Sequence, residues 1–446
     1  MTSLKTLYVS PLVQIVLLGF ICLCCPGFFN AISALGAGGG LSENITIIST
    51  TNGVLYACFT FLGLFAGSIC NKLGVKLTLA IGSIGYAVYV SSLWVYDTKQ
   101  VGPYVIVSGA ILGCCASLFW AAQGAIMMSY PKENEKGKFV GIFWALFNSG
   151  GVLGALIALL MNLNSSAGVS TGTYTAFVIV MLIGVVMTCL LASPSSVRRS
   201  DGTMVEVSKA STWQHELKAM VHVWGEWRMV ALIPAFLASN WFYAYQFHLN
   251  AVYFDAATRP LNSLMYWGFQ ILASILIGCL LDYTGMNRRT RGLVGLVVMY
   301  VFMMAVWVCG FIFQRTFSND FASPVHWTDP NFGAPFALFL FYGFSDALYQ
   351  SYLYWLMGAM SNDPALLARY AAFYKAIQSA GAAASYGIDA SGVPLIWQCV
   401  VCWVLVAIAL PGIFLVANKV TDTNLVDTDP SIDTKLDYKT KEVEAA

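Results

Sequence analysis

Long apolar stretches separated by short polar breaks occupy most of the chain. Each stretch reaches about 20 residues, the length that an α-helix needs to cross the hydrocarbon core of a bilayer. The pattern predicts an all-α membrane protein with twelve transmembrane helices, near residues 10–34, 46–70, 76–97, 103–129, 138–162, 172–192, 229–253, 261–283, 292–313, 333–359, 367–388 and 394–417.

The composition excludes several classes of protein. The chain has 446 residues, of which 58% are hydrophobic and 10% are charged, whereas soluble domains have about 25% charged residues. A net charge of +1 provides no basic face for nucleic acid. The sequence shows neither a nucleophile with a neighbouring base nor a cluster of metal ligands, so we expect no enzyme, no metal and no cofactor.

Lysine and arginine are distributed unevenly between the loops. If both termini are cytosolic, the outer loops hold only Lys99, Arg259 and Arg315, and the other basic residues except Lys375 fall on the inner side. This asymmetry predicts cytosolic termini, in the plasma membrane or an endomembrane. Asn44 and Asn164 each begin an N-x-S/T sequon in an outer loop, which predicts two glycosylation sites.

A polar segment divides the chain into two sets of six spans. Residues 193–228 separate the half formed by 1–192 from the half formed by 229–418, and residues 419–446 lack hydrophobic periodicity and are predicted to be disordered. We expect the segment to form an amphipathic helix on the inner membrane surface, with a partner-binding site as the alternative. Its apolar residues at helical spacing are Trp213, Leu217, Met220, Val221 and Trp224.

The two halves contain a sequence repeat. The turns after the second and eighth spans share the pattern G-x3-[D/N]-x2-G followed by basic residues. The segment from Lys138 to Gly150 likewise matches the segment from Arg369 to Gly381, so the fifth and eleventh spans are equivalent. We interpret the two turns as gating loops formed by Gly67, Asn71, Lys72, Gly74 and Lys76 in the first half and by Gly278, Asp282, Gly285 and Arg288 in the second.

Parallel six-helix halves joined in this way resemble the major facilitator superfamily. Asn71 departs from the Asp that the superfamily usually has at this turn, whereas Asp282 keeps the carboxylate. Several segments are similar to the fungal type of the Unc-ninety-three-like branch: Pro26-Gly-Phe-Phe-Asn30, Gln123 to Pro131, Phe143-Trp144, Leu261 to Trp267 and Phe373 to Ser379. The resemblance implies a twelve-helix facilitator fold. It leaves function divided, because animal members are associated with ion-channel regulation and receptor trafficking and fungal members are taken to be transporters.

Two ionisable residues lie deep inside predicted spans. Asp346 is at the middle of the tenth span, and Lys375 is roughly one third of the way into the eleventh. Such groups are costly in a bilayer and usually face a cavity or a partner. Their depths differ by about 6 Å, which a lysine side chain can bridge. The sequence therefore predicts an ion pair that either titrates during transport or locks two helices together.

Other polar residues predict the wall of a central cavity. Tyr342 and Gln350 share a helix face with Asp346, and Gln378 lies one turn after Lys375. The seventh span adds Tyr243, Gln246 and Asn250. The family resemblance adds Asn30, Trp120 and Gln123, because the first, fourth, seventh and tenth helices line the cavity in facilitators. Hydrogen bonding between helices is the alternative role for each amide. His248 lies off the polar face and is predicted to pack or form a hydrogen bond.

These features predict a transporter that moves a small solute by alternating access, with protons as a candidate coupling ion at Asp346. One acid and one base in the cavity favour a weakly charged or zwitterionic solute. The alternative is a regulatory or trafficking subunit that retains the fold and binds a protein partner. A transporter needs a polar cavity, whereas a regulator could have it filled by Trp120, Trp144 and Phe147.

Overall fold

A computed structural model describes residues 7–35, 45–132, 135–162, 170–199, 202–205, 212–317 and 323–423. Within these ranges the chain forms twelve long helices: α1 (Pro11–Ala34), α2 (Ile45–Leu73), α3 (Val75–Lys99), α4 (Gly102–Ser129), α5 (Lys136–Asn162), α6 (Thr171–Met187), α7 (Ile233–Tyr253), α8 (Thr258–Leu281), α9 (Arg288–Gln314), α10 (Gly333–Met360), α11 (Pro364–Ala390) and α12 (Leu395–Ala417). The predicted glycosylation sites Asn44 and Asn164 lie outside the described residues.

The helices differ in polarity. Among the described residues, nine helices are long and apolar enough to cross a membrane on length and composition alone. The other three, α7, α10 and α11, are equally long but carry the buried amides and charges of the second half. Most of these polar residues form hydrogen bonds with other helices, which is how a bilayer-spanning helix can tolerate them.

The first helix is interrupted by a π-helical turn at Leu23–Gly27, which contains Pro26. Proline has no N–H to donate and its ring displaces the preceding carbonyl, so the regular ladder of hydrogen bonds cannot continue through it. The turn lies at the depth of the central cavity, where Pro26 and Asn30 form part of the wall.

Helices α1–α6 form the first half of the bundle and α7–α12 the second. The main contacts between the halves are α2 along α11 and α5 along α8. The sequence repeat makes α2 equivalent to α8 and α5 equivalent to α11, so the two contacts correspond when the halves are exchanged. The predicted fold of two six-helix repeats is confirmed.

Two glycines of the predicted gating loops allow these close helix contacts. A Cβ atom on Gly67 would lie 2.9 Å from the Cα of Arg369, and one on Gly278 would lie 2.8 Å from the carbonyl oxygen of Gly137. Both distances are too short for any larger residue without movement of a backbone. The repeated glycine therefore serves contact between the halves.

The segment between the halves contains a helix at Trp213–Gly225, here named the linker helix, which begins after the N-cap Thr212. A short helix at Trp227–Ala231 connects it to α7. The end of the bundle that carries this segment is named the linker end.

The predicted apolar face of the linker helix is divided between two environments. Met220 is buried against the bundle together with Glu216 and Val223. Leu217 and Val221 are 44% and 57% exposed, on the side that suits the surface of a bilayer. Glu216 was not part of the prediction, because a charged residue at this spacing reads as solvent-facing.

The beginning of the predicted disordered tail is ordered. Val420 is buried, and Asp422 accepts a hydrogen bond from the backbone N–H of Arg288 at 2.8 Å, at the start of α9. A carboxylate there is favoured by the helix dipole. Residues 424–446 lie outside the described part of the chain.

Candidate functional site

A cavity of about 50 Å³ lies between the two halves. The first half contributes mainly apolar and aromatic side chains to its wall. The second half contributes polar side chains, namely Asn240, Tyr243, Gln350, Lys375, Gln378 and Ser379.

Three aromatic residues form one side of the cavity. The ring of Phe147 lies 5.4 Å from that of Trp120 and 5.3 Å from that of Trp144, between centroids. Trp120 also donates a hydrogen bond from Nε1 to the hydroxyl of Tyr86 at 3.1 Å. All three side chains are buried, and each lines part of the remaining space.

Asp346 is fully buried behind the cavity wall. Its carboxylate accepts hydrogen bonds from Tyr243 at 2.6 Å, Gln270 at 2.9 Å and Gln350 at 2.7 Å. Tyr243 and Gln350 line the cavity, whereas Asp346 itself does not. Three donors stabilise a carboxylate at membrane depth without a counter-ion in contact.

Lys375 lines the cavity. Among the described residues that line it, Lys375 is the one with a formally charged side chain. Its Nζ donates to Oε1 of Gln378 at 2.7 Å. It also lies over three aromatic rings, 4.4 Å from the centroid of Trp120, 5.0 Å from Tyr374 and 5.4 Å from Tyr354. Cation–π attraction thus takes the place of a salt bridge.

The expected direct ion pair between Asp346 and Lys375 is wrong. Gln350 lies between them, with its Nε2 donating to Asp346 at 2.7 Å and its Oε1 3.5 Å from the Nζ of Lys375. Gln350 follows Asp346 by one turn of α10, so its amide occupies the space that a direct pair would need. The two charges are linked through an amide that can transmit a change at either end.

Two buried polar atoms of the wall have no hydrogen-bond partner among the described residues. They are the amide oxygen of Asn240 and the indole Nε1 of Trp144. A buried polar atom left unpaired costs about 1–3 kcal/mol. Both atoms belong to residues that line the cavity, where a bound molecule can supply the missing partner.

Some of the predicted site residues lie at the cavity and others do not. Asn30 lines it. Gln123 is buried next to the wall, where it accepts a hydrogen bond from Tyr354 at 3.2 Å. Gln378 joins the wall to α7 by donating to the hydroxyl of Ser239 at 2.8 Å.

Three predicted site residues form contacts between helices elsewhere. Tyr342 packs edge-on against Tyr245, with ring centroids 6.2 Å apart, in an aromatic cluster. Gln246 accepts from Tyr266 at 2.8 Å. Asn250 donates to the carbonyl of Ala34 at 2.9 Å, joining the two halves far from Lys375. The alternative of hydrogen bonding between helices fits the two amides.

Asp282 joins the halves at the linker end. Its carboxylate accepts from the backbone N–H groups of Gly137 at 2.9 Å and Lys138 at 2.5 Å, at the beginning of α5. Burial raises the pKa of Asp282, and the two backbone N–H groups oppose that rise. The carboxylate of Asp282 in the second half therefore binds the N-terminal end of α5 in the first half, where the helix dipole is positive.

Asn71, the counterpart of Asp282, has no carboxylate, and its side chain contacts a carboxylate of the linker helix. Its Nδ2 lies 3.3 Å from Oε2 of Glu216 and 3.4 Å from the carbonyl oxygen of Ala365 on α11. The same Oε2 atom accepts from Arg369 at 2.8 Å. The missing negative charge of the first gating loop is thus supplied by Glu216.

Lys136 forms a third contact between the halves at this end. The residue is buried, and its Nζ donates to the carbonyls of Gly358 at 2.6 Å and Ser361 at 3.1 Å. These carbonyls are at the end of α10, where a cation is favoured by the helix dipole.

The remaining residues of the gating loops stabilise their own surroundings. Gly74 has φ +81°, which favours glycine. Lys72 lies 5.5 Å from the ring centroid of Trp213, and Lys76 donates to the carbonyl of Cys189 at 2.7 Å. Gly285 lies in the turn before Arg288, the first residue of α9.

A second cavity, of about 30 Å³, lies toward the opposite end of the bundle and is lined by Asp389 and His248. Oδ2 of Asp389 accepts a hydrogen bond from Ser49 at 2.8 Å. Oδ1 accepts one from Gln398 at 3.0 Å and lies 2.5 Å from Nδ1 of His248. The bond from Ser49 joins α2 to α11. Asp389 was not predicted as a site residue because it lies at the end of a span and not in its middle. The sequence does place Asp389 and His248 near the C-terminal ends of their helices, which could have indicated the contact.

Comparison with known proteins places the chain in a family. Residues 49–414 match the family model described as ion channel regulatory protein UNC-93. UNC93-like protein C922.05c of Schizosaccharomyces pombe is 40% identical over 422 residues, which cover 93% of this chain and 82% of that protein. UNC93-like protein 1 of Arabidopsis thaliana is 40% identical over 413 residues, covering 91% and 90%.

Solved structures show the same fold. The human organic anion transporter MFSD10 (TETRAN) has a TM-score of 0.62 at 12% identity, covering 93% of this chain and 100% of that chain. FucP, a major facilitator superfamily transporter in the outward conformation, also has a TM-score of 0.62 at 12% identity, covering 92% and 99%. At this identity the likeness concerns the fold alone. The chain is a multi-pass membrane protein with the major facilitator fold and belongs to the UNC-93 family.

Proposed function

We propose that this protein moves a small solute across a membrane by alternating access through the central cavity. The observation that supports this is the position of the cavity, which lies between the halves with contacts between those halves on both sides of it. The linker end is assigned to the cytosol because the basic loops lie there. The membrane is the plasma membrane or an endomembrane.

Opening toward the linker end requires three contacts to break. They are made by Lys136 with the end of α10, by Asp282 with the beginning of α5 and by Glu216 with Arg369. Opening toward the other side requires the contacts of Ser49 with Asp389 and of Asn250 with Ala34 to break. Rocking of one half against the other along the α2–α11 and α5–α8 contacts exposes the cavity to each side in turn.

Asp346 couples this movement to protons. As a carboxylate it accepts from Tyr243, Gln270 and Gln350. A bound proton converts one oxygen into a donor, so one of these groups must turn away. Because Tyr243 and Gln350 line the cavity, protonation changes the surface that the solute meets.

The test is proton flux into liposomes that contain the purified protein, under an imposed pH gradient, during a screen of small solutes. Wild type is compared with Asp346→Asn and with a matched control, Asp97→Asn, at the end of α3. Solute-dependent flux in wild type and the control, lost in Asp346→Asn, supports a proton-coupled carrier. Flux that survives in Asp346→Asn contradicts the coupling role.

The second candidate function is a regulatory subunit without transport, which the description of the matching family model favours. Under this alternative the protein binds a membrane protein partner, and the two halves stay closed. No flux for any solute, from a folded wild-type protein, would favour this alternative over transport.

A further inference from the structure

We propose that the transported solute is a small organic anion, a carboxylate on a flat apolar body, whose charge is bound by Lys375. This inference rests on the proposed function, since it names the class of solute that the same cavity takes.

The first argument is the charge that the cavity presents. Lys375 lies on its surface, whereas Asp346 is covered by Tyr243 and Gln350. A cationic solute would meet the ammonium group of Lys375 and would reach Asp346 only by displacing its hydrogen-bond donors. A carboxylate meets the ammonium group directly and gains a charge-assisted hydrogen bond.

The second argument is that Lys375 can change partners. Its hydrogen bonds go to neutral amide oxygens, at 2.7 Å to Gln378 and 3.5 Å to Gln350, and its remaining stabilisation comes from aromatic rings. None of these partners carries a negative charge. A carboxylate is a stronger acceptor than an amide oxygen, so it can displace Gln350 or Gln378.

The third argument is the shape and chemistry of the opposite wall. Trp144 and Phe147 provide flat apolar surface against which a ring system can stack. The unpaired Nε1 of Trp144 can donate to a solute, and the unpaired oxygen of Asn240 can accept from one. A solute with an apolar ring and one or two polar substituents matches this wall.

The fourth argument is charge balance. With Asp346 ionised and Lys375 protonated, the site is neutral, and a bound anion makes it negative. Net charge buried at membrane depth is costly, and a proton on Asp346 restores neutrality. The groups that face Asp346 are Tyr243 of α7, Gln270 of α8 and Gln350 of α10, with Lys375 of α11 behind Gln350. One anion therefore carries one proton.

The experiment measures binding and not transport. Full-length protein in nanodiscs is titrated by calorimetry with 2-naphthoate, 2-naphthamide and 2-naphthylmethylamine, which share a ring system and differ in charge, and empty nanodiscs are subtracted. We expect 2-naphthoate to bind at least tenfold more tightly than the other two. Tighter binding of the amine, or no binding of any of the three, would overturn the inference.

Variants identify the site. Lys375→Gln should weaken 2-naphthoate binding at least tenfold, and Lys375→Arg should retain part of it. Trp144→Phe keeps an aromatic side chain, although a smaller one, and removes the unpaired N–H, so it should weaken binding a few-fold without changing any charge. Lys218→Gln, at an exposed position of the linker helix, is the matched control. Unchanged binding in a folded Lys375→Gln variant would refute the anion site.

The binding titration and the liposome flux assay together separate the two proposals. Binding of 2-naphthoate that depends on Lys375, without flux of any solute in liposomes, would keep the anion site and remove transport. Flux of a neutral or cationic solute, with no 2-naphthoate binding, would keep transport and remove the anion class.

Discussion

Glu216, on the linker helix, accepts a hydrogen bond from the guanidinium group of Arg369 on α11 at 2.8 Å, and both residues are buried. The same carboxylate oxygen faces Asn71 on α2. The segment that connects the halves in sequence thus also joins them in space, at the end where the first gating loop lacks an acid. In the proposed transport cycle, the linker is part of the gate at this end.

Glu216→Gln should destabilise this gate. Removing one partner of a buried ion pair leaves the other charge uncompensated, and the expected loss is about 3 kcal/mol in the free energy of unfolding. The measurement is unfolding in detergent, together with hydrogen exchange in the first turns of α11, which should become faster. Lys218→Gln on the same helix is exposed and should change neither quantity.

A double variant tests whether the position of the charge matters. Asn71→Asp alone places a second carboxylate beside Glu216 and should destabilise the closed gate. Combined with Glu216→Gln it returns one carboxylate to the vicinity of Arg369 and should recover part of the lost stability. If the double variant is no more stable than Glu216→Gln alone, Glu216 does not replace an acid at position 71.

Gly278→Ala should destabilise the contact between α5 and α8. The added methyl group would lie 2.8 Å from the carbonyl oxygen of Gly137, so two helix backbones must separate. Overpacking of this kind costs about 1–3 kcal/mol. The measurement is thermal unfolding of the purified protein.

Gly268→Ala is the matched control on the same helix. A Cβ atom there meets nothing within 4 Å, so the substitution should be neutral or slightly stabilising through helix propensity. Similar losses in both variants would show that glycine serves flexibility of α8 instead of close approach to α5.

The spans and the repeat could be predicted because they depend on local properties of the sequence. Apolar length fixes each helix, and the matching glycines Gly67 and Gly278 mark equivalent close contacts that the structure contains. The cavity position of Lys375 and Gln378 also follows from their helix face. Each of these inferences needs only neighbours along one helix.

The partners of the site residues could not be predicted, because they come from distant parts of the chain. Gln270, on α8, donates to Asp346 at 2.9 Å, and no spacing in the sequence connects the two. Glu216 was missed because an acid on an amphipathic helix is usually solvated. Tyr342 was wrongly expected at the cavity because helical spacing fixes a face only to within tens of degrees, and aromatic neighbours on α7 and α9 bind its ring instead.

Asp389→Asn should weaken closure at the opposite end of the bundle. The carboxylate binds Ser49 of α2 through one oxygen and His248 of α7 through the other. An asparagine amide has only one accepting oxygen, so one of these contacts is lost. The expected loss is about 1–3 kcal/mol, with faster hydrogen exchange at the start of α2 and the end of α11. Asp363→Asn, an exposed N-cap for which asparagine is an equally good residue, is the control. Unchanged exchange in Asp389→Asn would remove Asp389 from the gate.

Asp346→Asn should reduce the uptake of protons that accompanies anion binding. Calorimetric titration of 2-naphthoate in two buffers with different ionisation enthalpies gives the number of protons taken up. We expect about one proton in wild type at neutral pH. The bound anion neutralises the charge of Lys375, so the charge of Asp346 is no longer balanced and the carboxylate binds a proton. The variant is permanently neutral at this position, so it should take up fewer protons than wild type, and its affinity for 2-naphthoate should change less with pH. Wild-type affinity should instead rise as the pH falls, since a proton and the anion bind together. Asp97→Asn should behave as wild type. Equal proton uptake in Asp346→Asn and wild type would place the proton on another group and would separate anion binding from Asp346.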